Sequence, residues 1–178
     1  MTTQPTAMNW ISIGLLGIIW GGTFMVVSIA LQDYGPVTVA CARTTLGALS
    51  MIALAIALRR PLPSRETYRP LLIIGATNTA IPFLLLSWGQ QYVPSAFAGI
   101  TMAALPLFVL PLAHFFSDET LNKRRLIGVI IGFIGALWLI GPSALRPGAG
   151  IEGVAQLACL GATFSYASSS VMTRRCPP

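Results

Sequence analysis

The stretch PVTVACARTTLGALSMIALAIAL, Pro36 to Leu58, carries a single charge, Arg43, inside an otherwise apolar run. A guanidinium stays protonated and presents a planar fork of donors that matches carboxylate and phosphate oxygens. Arg43 lies seven residues past Pro36, about 10 Å along a helix at 1.5 Å per residue. At that depth in an apolar phase an arginine must pair, meet water or snorkel outward. The chemical reading is an anion or carboxylate contact in a cavity; the competing one is a side chain that reaches the outer surface.

Other polar residues interrupt apolar runs in the same way. Asn78, flanked by Thr77 and Thr79, breaks LLIIGATNTAIPFLLL, and Pro82 frees a backbone carbonyl one turn earlier. Such groups either face a solvated cavity and bind substrate or hydrogen-bond a neighbouring helix. In LLGIIWGGTFMVVSIAL, Trp20 and Thr23 flank two glycines: Trp20 is a candidate cavity wall or bulky packing, and Thr23 bonds its own helix or a partner. Gln90 joins Trp88, Gln91 and Tyr92. There an interfacial aromatic belt competes with a polar contact to substrate. His114, the single histidine, is either a titrating group in a pathway or a residue at headgroup level.

Apolar helices must position these residues. The chain is 54% hydrophobic and 9% charged, with mean hydropathy +0.75. A soluble domain carries about 25% charged residues, so lipid must face most of this surface. A helix needs about 20 apolar residues to cross a bilayer core of roughly 30 Å. Six spans satisfy that pattern: Trp10–Leu31, Pro36–Leu58, Leu71–Trp88, Ala96–Phe116, the shorter Leu126–Gly141, and Gly153–Thr173. GQQYVPS, with Pro94, divides the third from the fourth. No basic segment precedes the first run, so it is expected to stay as a span rather than be cleaved.

Nine basic residues fall on one side: Arg59, Arg60, Arg65, Arg69, Lys123, Arg124, Arg125, Arg174 and Arg175, against Arg146 alone on the other. This asymmetry places the nine, and the amino terminus, in the cytoplasm of a cell bounded by a plasma or inner membrane. The net charge of +6 is therefore a matter of topology and not of nucleic acid. Cys41, Cys159 and Cys176 have no metal-ligand spacing, and no cofactor is implied.

GGTF (Gly21–Phe24) returns as GATF (Gly161–Phe164), 140 residues later. The first span leaves the cytoplasm and the sixth enters it, as related helices of an inverted repeat would. Gly21, Gly22, Gly161 and Ala162 would let backbones approach closely, either as a packing notch or beside a pathway.

The ordered set Trp20-Gly21-Gly22, Pro36 and Arg43, then Pro106, Glu119, Gly128 and Gly135 resembles the EamA-type family of the drug/metabolite transporter superfamily. The resemblance implies an all-α polytopic membrane fold: a first five-span repeat over residues 10–141, a linker at 142–152, and the start of an inverted second repeat at 153–178. The family has ten spans, so six imply an incomplete chain, completed by a missing second half or by a homodimer. Asp118 and Glu119 are expected to cap the basic loop and the next helix, with Glu119 a family signature rather than a transport residue.

There is no GxSxG, HExxH, Walker or dinucleotide pattern. The expected function is secondary, non-ATP transport of small metabolites or drugs by alternating access, with membrane lipid and a small-molecule substrate as partners. A non-transporting membrane scaffold, or an enzyme acting on lipid intermediates, is the alternative.

Overall fold

A computed structural model describes residues 6–60, 64–116, 122–144 and 150–175. Asp118, Glu119, Arg146 and Cys176 lie outside the described residues, as does the middle of the expected linker. Outside short turns the described residues are helical. Helix α1 covers Ala7–Ala30, α2 Pro36–Ala57, α3 Tyr68–Gly75, α4 Ile81–Gly89, α5 Ser95–Ala103, α6 Leu105–Phe116, α7 Lys123–Ala144 and α8 Gly150–Arg175. Both ends of the segment expected as a linker are thus helical. This is an all-α polytopic membrane protein.

Local chemistry sets the helix ends. Gly35 is extended and Pro36 opens α2, where its missing amide donor costs nothing. At the other end Arg59 adopts φ 50°. The Arg60 amide donates to the Ala55 carbonyl at 2.9 Å and the Arg59 amide to Ile56 at 3.0 Å, the paired bonds of a Schellman cap. Glycine normally holds that left-handed position. Asn122 caps α7, its Oδ1 accepting the Arg125 amide at 2.9 Å.

The third and fourth spans are each broken. Between α3 and α4, residues Ala76–Ala80 form a wider π-type turn, in which the Ile81 amide donates five residues back, to Ala76. Pro82 follows at once and cannot donate. Between α5 and α6 the helix tightens at Ala104, whose amide reaches Thr101 at 3.1 Å, and Pro106 removes the donor for the next open carbonyl. Neither break was foreseen as a change of helix type, although Pro82 and Pro106 signal both.

Among the described residues, four helical rods are long and apolar enough to cross a membrane: Ala7–Ala30, Pro36–Ala57, Arg65–Gly89 and Ser95–Phe116. Each agrees with an expected span within a few residues. Helices α7 and α8 match the fifth and sixth expected spans in position and have 22 and 26 residues. At 1.5 Å per residue both are long enough for the core of roughly 30 Å. Helix α8 is less apolar than the others.

That polarity has a packing cause. Helix α8 lies at the centre of the bundle, against α4, α5, α6, α7 and the π turn. Its Ala155, Cys159, Ala162, Thr163 and Ala167 are fully buried. Small side chains let the backbones close. A Cβ on Gly89 of α4 would stand 2.8 Å from Cys159 Sγ and 3.1 Å from the Ala155 carbonyl oxygen. Leu86, Val93 and Ala98 complete this core with α8 residues. By contrast α1 is exposed along nearly its whole length and rests mainly on α5.

Candidate functional site

Because α1 leans on α5 and not along α2, the two helices leave a cleft of about 560 Å³ between them. Its walls are the aliphatic side chains of α1, among them Ile19 and Val26, and Val39 and Leu46 of α2. The polar groups reaching it are Thr23, Tyr34, Thr38 and Arg43. An apolar cavity of this size with a few fixed polar groups has the dimensions and character of a small-molecule site.

Arg43 is half-buried. Its guanidinium carbon stands 3.9 Å from the centre of the Phe83 ring of α4, a cation–π contact. Tyr166 of α8 lies within electrostatic range of it. Among the described residues no carboxylate pairs with Arg43. No hydrogen bond holds the guanidinium N–H groups among the described residues, so they are able to receive an anion. Phe83, Tyr34, Thr38 and Tyr166 went unforeseen, because hydropathy gives the depth of a residue and not which helices stand side by side.

Thr23 lines the same cleft, and its hydroxyl donates to the Ile19 carbonyl at 2.8 Å. The proton is thus engaged, and the oxygen faces the cleft as an acceptor. Trp20 does not line the cleft and is 68% exposed. At about 100° per residue, Trp20 falls just outside the arc of α1 that Ile19, Gly22, Thr23 and Val26 present.

The other candidates lie elsewhere. Asn78 is exposed on the π turn. Gln90 is buried at the end of α4: its Nε2 donates to the Phe24 carbonyl of α1 at 3.2 Å, while its Oε1 has no partner among the described residues. It ties α4 to α1. Trp88 and Tyr92 pack ring against ring at 5.3 Å. His114 stacks near Phe115 and is not part of the cleft.

The two halves of the repeated tetrapeptide sit in opposite surroundings. Gly22 borders the cleft, and a Cβ on Gly21 or Gly22 would meet nothing within 4 Å. Gly161 lies against Leu85, and Ala162 is in the core. Of the signature residues, Pro36 starts α2, Pro106 and Gly135 share a pocket between α6 and α7, and Gly128 faces open space. Among the described residues no group of histidine, cysteine or acidic side chains could hold a metal ion.

Apolar membrane-length helices, two of them broken, with a mostly apolar cleft that holds one half-buried cation, define an all-α polytopic membrane protein. Residues 8–141 match the EamA-like transporter family, and the chain belongs to it. An uncharacterized transporter of Bacillus subtilis, YoaV, is 23% identical over 139 residues, covering 76% of this chain and 48% of the relative. The uncharacterized inner membrane transporter YedA of Escherichia coli K12 is 30% identical over 128 residues, 70% of this chain and 40% of its own length. A probable terminal-alkyne amino-acid exporter of Streptantibioticus cattleyicolor is 29% identical over 122 residues, 67% of this chain and 40% of its own. The chain thus spans about half the length of the curated relatives it matches, or less. No solved structure matches it significantly.

Proposed function

We propose that this protein is a non-enzymatic secondary transporter that moves small organic molecules bearing a carboxylate on an apolar body. The observation that carries the proposal is Arg43, half-buried at the wall of the α1–α2 cleft with no carboxylate partner among the described residues. A cation held there by Phe83 binds the carboxylate, and the aliphatic walls take the rest of the molecule. A family relative bears the name of an exporter of terminal-alkyne amino acids, a cargo with those two features.

Transport proceeds in this reading by alternating access between two inverted halves. The recurrence of GGTF as GATF supports it, as does the open face at Gly21 and Gly22. The second half comes from further helices or from a second copy. The bias of nine basic residues against one supports a cytoplasmic amino terminus in a plasma or inner membrane.

The test is uptake of radiolabelled L-leucine and of L-propargylglycine into proteoliposomes. A charge-assisted hydrogen bond contributes about 1.5–3 kcal/mol, so Arg43→Gln should reduce kcat/KM roughly ten- to a hundredfold, with Arg43→Lys between the two. Flux equal to wild type in a folded Arg43→Gln protein would remove Arg43 from the site. Absence of flux in the wild type for any organic anion tried would favour the scaffold reading.

A further inference from the structure

The break in the third span leaves a carbonyl without a backbone donor. In the π-type register the Ile81 amide reaches Ala76. The next residue would donate to Thr77, but it is Pro82, which has no N–H. In hydrocarbon such an orphan is costly unless a neighbour supplies the donor. The Ser165 hydroxyl of α8 donates to the Thr77 carbonyl at 2.7 Å, 88 residues away in sequence. That bond ties the third rod to α8.

We infer that Ser165 is a positioning residue, which supplies to Thr77 the hydrogen bond that Pro82 cannot and so holds the π turn that leads directly into Phe83, the ring against Arg43. The remaining groups around the turn fit this assignment. Thr77 Oγ1 turns back to Ile73 at 2.8 Å and cannot serve its own carbonyl. The Ser169 hydroxyl stands 3.5 Å from the Ile74 carbonyl, too long to replace Ser165. Pro82 is itself fully buried, so water does not reach the turn on its side. π-type turns within helices recur at functional sites, and this one runs directly into α4, whose Phe83 ring stands 3.9 Å from the Arg43 guanidinium carbon.

The assignment makes a specific prediction of non-additivity. Pro82→Ala restores an amide that can reach Thr77 directly, or lets the π turn relax to an α turn in which the Ile81 amide does so. Either way Ser165 loses its task. Thermal unfolding in detergent micelles is measured for wild type, Ser165→Ala, Pro82→Ala and the double variant. Hydrogen bonds between membrane helices are modest, so Ser165→Ala should lower the Tm by about 2 °C in the wild-type background and leave it unchanged in the Pro82→Ala background. Ser165→Thr, which keeps the hydroxyl, should restore the wild-type Tm. Equal shifts in both backgrounds, or no shift in either, would overturn the assignment.

The positioning role has its own readout and rests on the transporter reading. In proteoliposomes taking up L-leucine, Ser165→Ala should raise KM several-fold, and Ser165→Thr should restore it. If the wild type moves no leucine while the melting cycle is non-additive, the transport reading fails and the hydrogen-bond assignment stands. If leucine uptake is normal in Ser165→Ala, the hydroxyl has no part in positioning the site.

Discussion

At Gly89 α4 packs tightly against α8, and replacing it offers a sharp test of the packing. A Cβ at that position would stand 2.8 Å from Cys159 Sγ and 3.1 Å from the Ala155 carbonyl oxygen, against an optimal separation of about 3.5–4.0 Å for nonbonded heavy atoms. The thiol can rotate, but the backbone carbonyl cannot, so Gly89→Ala must push the helices apart by several tenths of an ångström. Overpacking of this kind costs roughly 1–3 kcal/mol. The helix-propensity gain of alanine, at most about 1 kcal/mol, offsets part of it. For a chain of this size each 1 kcal/mol shifts the Tm by about 2–4 °C, so Gly89→Ala should melt a few degrees below wild type in detergent. Adding Cys159→Ala removes the closer of the two contacts and should recover part of the loss. Gly17→Ala is the control, since a Cβ there meets nothing within 4 Å; it should leave the Tm unchanged or raise it. If Gly89→Ala proves as stable as Gly17→Ala, the close approach of α4 and α8 is refuted.

Three further outcomes follow from the geometry. Phe83→Leu and Arg43→Met should be non-additive in thermal unfolding by about 0.5–2 kcal/mol, the strength of a partly desolvated cation–π contact; additivity would mean that the ring and the guanidinium do not interact. Gln90→Leu loses the bond to Phe24 but also removes a buried oxygen without a partner, so its stability should stay within about 1 kcal/mol of wild type, and a larger loss in the melting curve would show that Oε1 is satisfied. Arg59→Gly relieves a left-handed residue at φ 50° and should stabilise the folded chain by roughly 1 kcal/mol, which thermal unfolding would register as a higher Tm.

Depth along the membrane was legible in the sequence; lateral arrangement was not. Charge and turn residues located the rods to within a few residues, since the bilayer thickness fixes how long an apolar run must be. Arg43 stood out for the same reason, as a lone charge in such a run. Its partner Phe83 did not, because a phenylalanine in IPFLLLSWG looks like any lipid-facing residue until α4 is seen to stand beside α2. Trp20 shows the converse. Its mid-span position suggested a cavity wall, yet helical rotation turns it out of the cleft, a distinction of a few tens of degrees that depends on where the neighbouring helices lie. The hydroxyl of Ser165 was visible only as polarity in the sixth span. Its acceptor, the Thr77 carbonyl, is open because Pro82 further along has no donor to give.

The central place of α8 bears on how the protein is made. Transmembrane segments leave the translocon one after another, and each is sorted by its own affinity for lipid. Helix α8 carries Gln156, Thr163, Ser165, Ser168 and Ser169 along its length, most of them sheltered in the finished bundle by α4 and α6. On its own it presents those groups to hydrocarbon. The two broken rods that receive it are synthesised before it, so its integration is conditional on theirs. A defect in the third or fourth span would then appear during synthesis as a sixth span that fails to stay in the bilayer, well away in sequence from the original fault.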